Sequence, residues 1–451
     1  MVGMLAAMPP PATLPAQPGD AVSRARGDAC PGALRLHRAD DGALARVRVP
    51  GGVLSADQAD GLRELAGRLG DGEVHLTSRG NVQLRGLGQG CGGELASRMS
   101  EMGLLPSERH ERVRNVVASP LSGLDGLGAR DVRPWLSALD ALVCASEEAA
   151  GLSGRFLFAL DDGRGDADAL GADVTLRARD DGDADLRIGP LESVARIPAD
   201  EAPGAALVAA KVFLEAAAGS GAWRVTDLPE GAGPLSDSVV RRLRAAGLPV
   251  ARAVVPVPGG AGAPPALGAV TGPGDTDALS VGLPLGRAGA AQWRTLTDLA
   301  RRYGSGELRL TPWRGVVVPG VGRGRAGELL DALGAAGLVT GPRSPWTGVG
   351  ACIGRPGCAK SLADVRGDAA AAVGGGEPVD AERAAETLPV HWSGCERRCG
   401  HPRGAWVDVV AGPDGYRVSV VRDGRRDAPP CVTDDPSALT TAVSTARASG
   451  T

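Results

Sequence analysis

Residues 62–86, LRELAGRLGDGEVHLTSRGNVQLRG, recur further along the chain as LTDLARRYGSGELRLTPWRGVVVPG at residues 296–320. When the sequence is shifted by 234 positions, residues 47–104 align with 281–338 without a gap, and about 23 of the 58 positions are identical. Chance similarity would give only a handful of identities over this length. The sequence therefore predicts an internal duplication and two related halves.

Each copy of the repeat has the pattern of a small α+β unit. In the first copy, Leu62, Leu65 and Leu69 fall at helical spacing, and Gly70 and Gly72 follow where the helix should end. Two short strand-like runs come next, and a second helix begins near a Glu-Leu pair that both copies contain. The second copy keeps the same order, so we expect a pseudo-twofold protein whose functional site lies where the halves face each other.

The segments between and after the repeats differ in composition. Residues 255–278 are rich in glycine and proline and predict a junction, and each repeat is followed by a segment that ends as strand, Asp-Gly turn and strand. The predicted divisions are a disordered tail at 1–29, a half-domain at 30–105, an α+β domain at 106–254, the linker at 255–278, a second half-domain at 279–340 and a second α+β domain at 341–451.

Composition excludes several classes of protein. The 451-residue chain carries a formal net charge of -4, which gives no long-range attraction to nucleic acid. Its N-terminus lacks the basic start and the core of a signal peptide, and no uninterrupted run of about 18 apolar residues is present to span a membrane. We therefore expect a cytoplasmic protein with no nucleic-acid or membrane partner.

Four of the eight cysteines are concentrated in the last quarter of the chain. Cys352 and Cys358 form C-x5-C, and Cys395 and Cys399 form C-x3-C within HWSGCERRCGHP, residues 391–402. In a reducing compartment, grouped cysteines are more often metal ligands than disulfides. The spacing is wider than the C-x2-C knuckles of zinc sites and favours an iron-sulfur cluster, while zinc and a chance group of core cysteines stay open.

Two glycine-rich turns match the G-x-G-x-x-G pattern of dinucleotide sites, GQGCGG from Gly88 and GRGRAG from Gly322. They stand at equivalent positions of the two repeats, in a chain in which 68 residues are glycine. We therefore interpret both as tight structural turns. NADH is then expected to supply electrons only indirectly, through a separate reductase.

The cysteine pattern lies behind a duplicated unit that carries T-x-R-x-x-x-Q, here Thr77, Arg79 and Gln83. Together they resemble the siroheme-dependent nitrite and sulfite reductase superfamily. The resemblance implies an α+β fold with duplicated ferredoxin-like half-domains and two nitrite/sulfite reductase-type α+β domains related by pseudo-twofold symmetry. In that superfamily only the second α+β domain holds a 4Fe-4S cluster, so the resemblance assigns a cluster to the four grouped cysteines.

Longer strings resemble one branch of the superfamily, the precorrin-3B synthases of aerobic cobalamin biosynthesis. They are CPGALRLHRADDGALARVRVPGG from Cys30, TSRGNVQLRGL from Thr77, LRLTPWRGVVVPG from Leu308 and CIGRPGCAKS from Cys352. The resemblance implies a monooxygenase that uses O2 to hydroxylate precorrin-3A at C20, with lactone formation from the ring A acetate. It also implies an electron-donor reductase or ferredoxin, names no catalytic acid or base, and leaves open whether a mononuclear iron or a siroheme binds oxygen.

The matching motif positions predict an arginine-rich cradle for the carboxylates of a tetrapyrrole. Arginine forks make two parallel contacts with a carboxylate, so one cavity of this kind can hold siroheme or the related precorrin substrate. The expected tetrapyrrole-binding residues are Arg79, Asn81, Gln83, Arg114, Arg155, Arg314, Lys360, Arg397 and Arg398. His391 and His401, which flank the cysteines, are expected to be structural rather than iron ligands.

Two departures from the reductase pattern favour the synthase branch. Gly80 and Asn81 follow the motif arginine where the reductases usually have Gln, and GRFLF offers Arg155 and Leu157 where they have a K-x-K pair for the inorganic anion. Losing one cation should weaken a site for sulfite or nitrite. A siroheme-dependent sulfite or nitrite reductase stays the alternative, and a catalytically silent tetrapyrrole-binding or electron-relay protein is a third hypothesis.

Overall fold

The structure is a computed structural model that describes residues 31–259, 262–374, 387–402, 404–422, 424–427 and 431–449. The tail predicted at residues 1–29 lies outside the described residues. The described residues form four sheets with helices packed on them, which confirms the predicted α+β class. None of the described helices combines the length and the apolar character needed to cross a membrane.

The first repeat folds into strands and two helices in the predicted order. Its elements are β1 (His37–Ala39), β2 (Gly42–Val47), β3 (Val53–Ser55), α1 (Ala56–Leu69), β4 (Glu73–Leu76), β5 (Val82–Leu87) and α2 (Gly92–Glu101). At the start of α1, the Ser55 hydroxyl accepts the Gln58 N–H at 3.1 Å, and the Gln58 side chain accepts the Ser55 N–H at 3.0 Å. This capping box fixes the first residue of the helix.

The first α+β domain follows as a six-stranded sheet with helices on one face. Its elements are β6 (Val116–Ala118), α3 (Arg133–Ala145), β7 (Phe158–Asp161), β8 (Val174–Ala178), β9 (Asp183–Ile188), β10 (Ser193–Pro198), α4 (Ala202–Ala216), α5 (Ala232–Ala245) and β11 (Ala251–Val254). Ala205, Ala206 and Ala209 of α4 are almost completely buried. Their small side chains let this helix lie close to its neighbours in the core.

The second half repeats this plan. The second half-domain contains β12 (Gly268–Thr271), β13 (Thr276–Gly282), β14 (Arg287–Gly289), α6 (Ala290–Tyr303), β15 (Glu307–Leu310), β16 (Gly315–Gly322) and α7 (Ala326–Ala335). The second α+β domain contains β17 (Val349–Ala351), α8 (Val365–Gly374), β18 (Val390–Ser393), β19 (Trp406–Gly412), β20 (Gly415–Arg422), β21 (Arg425–Arg426), β22 (Cys431–Thr433) and α9 (Pro436–Ala448). Helices α1 and α6 begin and end at equivalent residues of the two repeats, so the predicted duplication is confirmed.

The predicted linker, residues 255–278, contains strand β12 and the first residues of β13. β12 pairs antiparallel with β13, and Val270 lies opposite Ala278. The glycines and prolines therefore do not keep the whole segment irregular. The short run around Val270 forms an edge strand because β13 beside it offers hydrogen-bonding groups.

The two half-domains exchange a strand. The first-repeat sheet has the order β1-β2-β5-β4-β14, and the second-repeat sheet has the order β12-β13-β16-β15-β3. Helix α1 packs on α6, and Trp293 Nε1 donates a hydrogen bond to the Ala59 carbonyl at 2.7 Å across this contact. Trp293 is fully buried in a core that both repeats share. The two half-domains therefore form one structural unit.

The sheets of the two α+β domains have equivalent cores. Strands β6, β7 and β8 are parallel neighbours in the first domain, as β17, β18 and β19 are in the second. The carboxyl ends of parallel strands lie at the same edge of a sheet. In each domain, the loops that follow the first two of these strands therefore start side by side.

Candidate functional site

The four grouped cysteines lie in two loops at one edge of the second α+β domain. Cys352 directly follows β17 and Cys358 lies in the same loop, whereas Cys395 and Cys399 follow β18. β17 and β18 are parallel, with Ala351 opposite Trp392. The structure thus brings together two cysteine pairs that are separated in the sequence.

The thiols are close enough to influence one another. Burial raises the pKa of the Cys399 thiol, the charge of Arg397 lowers it, and the charges of the other three cysteines raise it further. The Gly394 N–H donates to Cys352 Sγ at 3.2 Å. A donor of this kind stabilises a thiolate, which is the form that binds a metal.

The spacing of the sulfur atoms suits a large centre better than a single zinc ion. Zn–S bonds of about 2.3 Å place the sulfurs of a tetrahedral site within about 4 Å of one another. Among the described residues, two groups bring three metal-ligating atoms within 4.8 Å of one another, and neither group contains a cysteine. The four sulfurs are therefore spread more widely than zinc requires, as a multi-iron cluster with cysteine corners allows.

The first-repeat sheet carries a row of polar residues next to these loops. Strand register places Arg287 of β14 opposite His75 of β4, His75 opposite Gln83 of β5, and Gln83 opposite Arg46 of β2. Direct cross-strand partners lie on the same face of a sheet. These four residues therefore form one line across the sheet, which we call the polar row.

The equivalent line of the second-repeat sheet has apolar residues at two of its four positions. Register places Val53, Arg309, Val317 and Ser280 in it. Val317 is fully buried and belongs to a small apolar cluster with Leu121, which lies in the loop after β6. One half of the protein thus closes this face with apolar contacts, whereas the other half lines it with polar side chains.

Two arginines connect the polar row with the cysteine loops. Arg366, the second residue of α8, donates from Nε to the Cys352 carbonyl at 3.2 Å. Its Nη1 lies 3.3 Å from His75 Nδ1. Arg85 donates from Nη2 to the Gly357 carbonyl at 3.1 Å. The first-repeat sheet is therefore hydrogen-bonded directly to the segment that carries Cys352.

Positive charge accumulates around Arg366. Burial lowers its pKa to about 10, and the neighbouring charge of Arg287 acts in the same direction. Glu73 opposes this effect, and Arg85 and Arg314 lower the pKa further. Four guanidinium groups therefore converge beside the cysteine loops. Arg85 is paired with Asp41 and Arg287 with Glu73, each at 2.8 Å, whereas Arg314 and Arg366 form no ion pair among the described residues and could stabilise a bound anion.

Arg314 reaches this region from the second repeat. It lies in the turn between β15 and β16 with a φ of 61°, which is uncommon for a residue other than glycine. Its Nη2 donates to the Gly400 carbonyl at 3.3 Å, and burial lowers its pKa. A Cβ added at Gly350 would lie 3.1 Å from His391 Nδ1 and 3.7 Å from Arg314 Nη1. Arg314 therefore lies beside His391 and the loop that carries Cys399.

His391 is a neutral imidazole beneath that loop. It is 1% exposed, and burial lowers its pKa to about 3, with the charge of Arg314 acting in the same direction. Nε2 lies 3.1 Å from the Cys399 carbonyl, which can only accept a hydrogen bond, so Nε2 carries the hydrogen. Nδ1 is a buried acceptor with no partner among the described residues. A group bound beside Cys399 would find a hydrogen-bond acceptor there.

The T-x-R-x-x-x-Q motif forms the turn between β4 and β5. Thr77 Oγ1 accepts the N–H groups of Arg79 at 3.3 Å and Asn81 at 3.1 Å. Asn81 is fully buried, and both polar atoms of its side chain are hydrogen-bonded inside the protein. Arg79 Nη1 donates to the Arg155 carbonyl at 3.3 Å. Of the motif residues predicted to bind a tetrapyrrole, Gln83 is the one that lies in the polar row.

Arg114 and Arg155 make contacts within the first α+β domain. Arg114 is buried, and its Nε and Nη2 donate to the Asp140 carboxylate at 2.8 and 2.7 Å. The Arg155 guanidinium lies over Trp223, 4.6 Å from the ring centroid. Leu157 is 2% exposed and belongs to the core. The side chains at the positions that match anion-contacting cations of the reductases therefore make contacts within the protein.

The predicted residues Lys360, Arg397 and Arg398 lie beside the cysteines. Lys360 and Arg397 are exposed. Arg398 has a φ of 47°, and its Nε donates to Asp408 at 2.7 Å, which attaches the cysteine loop to β19. A role of these three residues in tetrapyrrole binding stays a prediction.

The sequence alone does not distinguish Arg287 or Arg366 from other arginines, and it assigns no role to His75. Arg287 belongs to the second repeat, and only the strand exchange brings it into the first-repeat sheet. A comparison of the two copies could have indicated this face, because Gln83 in the first copy is equivalent to Val317 in the second. A polar residue in one copy and an apolar residue in the other indicates which face is kept for a ligand.

The fold and the site define a class of proteins. Residues 36–90 and 271–336, which cover most of the two repeats, match the family model of the nitrite/sulfite reductase ferredoxin-like half domain. The chain thus contains two copies of a unit similar to the half domain of the nitrite and sulfite reductases. The solved structure of the Mycobacterium tuberculosis NirA protein has the same fold, with a TM-score of 0.66 at 20% identity over 86% of this chain and 76% of that chain.

Relatives within this class include one synthase and several reductases. The chain is 27% identical over 432 residues to a precorrin-3B synthase from Sinorhizobium sp, covering 92% of this chain and 88% of that protein. It is 26% identical over 400 residues to a ferredoxin–nitrite reductase from Synechococcus elongatus, covering 81% and 76%. A chloroplastic ferredoxin–nitrite reductase from Zea mays is 37% identical over 126 residues, covering 26% and 21%. Of these three similarities, the one to the synthase extends over the largest share of the chain.

Proposed function

We propose that this protein is a precorrin-3B synthase, an oxidoreductase of aerobic cobalamin biosynthesis. The reaction adds one atom of O2 to precorrin-3A as a hydroxyl at C20, with lactone formation from the ring A acetate. The other oxygen atom leaves as water, so the reaction consumes two electrons and two protons. The observation that carries the proposal is the convergence of four guanidinium groups and the polar row on four grouped cysteines.

The four cysteines fit a 4Fe-4S cluster. Their donor set consists of four thiols, their sulfurs are too widely spread for zinc, and an N–H group already points at Cys352 Sγ. When bound, the cluster would supply electrons one at a time, which O2 requires because it reacts slowly with closed-shell carbon. The electrons would come indirectly from NADH, through a separate reductase or ferredoxin. We also propose a cytoplasmic location, because free thiols persist in a reducing compartment.

The substrate would be held through its acetate and propionate side chains. Arg314 and Arg366 offer donors that match carboxylates, and their burial strengthens each contact, whereas Arg287 beside them is paired with Glu73. Gln83 and the neutral His391 offer polar groups that could orient the macrocycle. These residues bind and orient the substrate beside the cysteine loops. Iron, sulfide and tetrapyrrole analysis of protein purified without air distinguishes a mononuclear iron from a siroheme as the oxygen-binding centre.

A siroheme-dependent nitrite or sulfite reductase is the second candidate, and the similarity to the Synechococcus elongatus enzyme favours it. The internal contacts of the first α+β domain count against it. Arg114 is paired with Asp140, Arg155 lies over Trp223, and Leu157 supplies no charge. A small oxyanion would need cations at such positions to stabilise the charge that develops during its reduction.

Isotope labelling tests the proposal directly. Anaerobically reconstituted protein is given precorrin-3A, a reductant and 18O2, and the product is analysed by mass spectrometry. We expect one labelled oxygen atom per product molecule. An unlabelled product or none would reject the monooxygenase proposal. Nitrite or sulfite consumption by the same preparation, together with an intense tetrapyrrole absorption as purified, would support the reductase instead.

A further inference from the structure

Because the chain is duplicated, the region around Arg366 has an equivalent region in the first half. Cys352 directly follows β17, and Ser119 directly follows the equivalent strand β6. The Gly394 N–H donates to Cys352 Sγ at 3.2 Å, and the Asp162 N–H donates to Ser119 Oγ at 3.1 Å. The same hydrogen bond thus links the same two loops in both halves. Residues of the two α+β domains can therefore be compared position by position.

In this comparison Arg366 corresponds to Arg133. Arg366 lies fourteen residues after Cys352, and Arg133 lies fourteen residues after Ser119. Each arginine directly follows a fully buried valine, Val365 or Val132. Each lies at the start of a helix, α8 or α3. Glu73 influences the pKa of Arg366, and its repeat equivalent Glu307 influences that of Arg133. The two arginines therefore occupy the same place in the fold.

The two arginines differ in their counter-ions. Arg133 donates from Nε and Nη2 to the two carboxylate oxygens of Asp131 at 3.1 and 2.6 Å, and these bonds raise its pKa. Arg366 forms no ion pair with a carboxylate among the described residues, and its hydrogen bonds go to the Cys352 carbonyl and His75. Asp364, the counterpart of Asp131, accepts the Gly367 N–H instead of pairing with Arg366. One copy is thus neutralised within the protein, whereas Arg366 keeps its charge beside Arg314 and beside two arginines that have their own carboxylate partners.

The contacts of Arg366 also hold its guanidinium in place. His75 Nε2 lies 3.0 Å from Asp71 Oδ2, so Nε2 donates to the carboxylate and Nδ1 is left to accept from Arg366. Nε and Nη1 of Arg366 are fixed in this way, and Nη2 has no hydrogen-bond partner among the described residues. Arg287, the cross-strand partner of His75, lies on the same face. The arrangement is a preorganised cation without its anion.

We propose that Arg366, positioned by His75 and flanked by Arg287, binds a carboxylate of the tetrapyrrole substrate. This inference rests on the proposed function and names a binding residue of the same site. The competing role for Arg366 is to offset the negative charge of a cluster, since it donates to the Cys352 carbonyl. A binding experiment and a redox experiment on the same samples separate the two roles.

The probe is uroporphyrin, a stable tetrapyrrole with eight carboxylates, titrated into cluster-reconstituted protein and followed by its absorbance. Arg366→Met should weaken binding by about 10- to 100-fold, the range expected for losing a charged hydrogen bond. Arg366→Lys keeps the charge without the fork, so its affinity should lie between those of Arg366→Met and the wild type. Arg133→Met is the matched control and should bind as the wild type does. Iron and sulfide content and the cluster reduction potential are measured for each variant.

Unchanged uroporphyrin affinity in Arg366→Met and Arg366→Lys, with a shifted reduction potential, would assign Arg366 to charge balance and overturn the inference. A wild type that does not bind uroporphyrin would overturn it as well. If Arg366→Met does not fold, the comparison of Arg366→Lys with the wild type decides in the same way. Failure of the proposed function is distinguishable, because it would leave arginine-dependent uroporphyrin binding without any turnover of precorrin-3A.

Discussion

Replacing Asp166 with Asn should remove a pH dependence of stability that originates in the first half of the protein. Asp166 lies in the loop after β7, where oxygen atoms of Asp161, Asp162 and Asp166 come within 4.8 Å of one another. Burial raises the pKa of Asp166 to about 7, and the charge of Asp161 acts in the same direction. Ser119 Oγ donates to Asp166 Oδ1 at 2.5 Å. This loop is the counterpart of the one that carries Cys395.

The sign and size of the effect follow from proton binding. With a pKa of about 7 in the folded state and 3.8 as its ordinary value, Asp166 holds its proton in the folded protein at pH values where the unfolded chain has lost it. Stability therefore falls as the pH rises toward 7 and levels off above it. The full slope is about 1.4 kcal/mol per pH unit and halves as the pH reaches 7, so the rise from pH 5 to pH 7 should lower the free energy of unfolding by about 2 kcal/mol.

Urea unfolding at pH 5, 6, 7 and 8 measures this effect. Asn keeps the acceptor for Ser119 and does not titrate, so Asp166→Asn should gain stability relative to the wild type as the pH rises. Asp181→Asn is the control, because Asp181 is exposed and its lowered pKa keeps its titration outside this range. Parallel pH profiles for the wild type and Asp166→Asn would refute the argument.

Three further substitutions test the cysteine site and the contact between halves. Cys395→Ser should abolish iron binding because it removes one of four thiolates. Cys144→Ser in α3 is the control and should bind iron as the wild type does. Unchanged iron and sulfide content in Cys395→Ser would contradict the cluster assignment. Gly394→Ala should reduce cluster content in parallel reconstitutions, because a Cβ there would collide with the Ser361 side chain, and wild-type content would argue against this tight fit. Arg309→Met should lower the free energy of unfolding by about 2 to 4 kcal/mol, as measured by urea unfolding, because two carbonyls in the loop after β6 lose charged donors.

The duplication and the ends of its helices could be predicted because their signals are local. Leucines at helical spacing followed by Gly70 and Gly72 define α1 within one short stretch of sequence, and the second copy repeats them. The cysteine loops could be predicted for the same reason. The strand exchange could not, because β14 pairs with β4 across more than 200 residues of chain. The position of Arg287 in the first-repeat sheet depends entirely on that pairing.

Which polar motif residues face a ligand could not be predicted either. Asn81 and Arg114 occupy motif positions, yet the structure engages both in internal hydrogen bonds. The partner of Arg114 is Asp140, an unremarkable residue of α3 in the sequence. A buried polar group needs a partner, and the sequence alone does not show whether the protein or a ligand provides it. The same reasoning applied to Arg366 gives the opposite answer. Asp364 stands where Asp131 stands in the first half, but it accepts the Gly367 N–H and forms no ion pair with Arg366 among the described residues.

The strand exchange explains how the two halves could diverge without disturbing each other. Arg309 and His75 are equivalent residues of the two repeats, and each contacts the α+β domain of the opposite half. Arg309 donates a hydrogen bond to the Pro120 carbonyl, and His75 accepts one from Arg366. Each pocket is therefore built mainly from the sheet of one half-domain and the opposite α+β domain, and the exchanged strand adds residues of the other repeat, such as Arg287. Apolar contacts of Val317 close one pocket without altering a residue of the other. A duplicated fold of this kind can keep one inherited site for a tetrapyrrole and use the second site for stability.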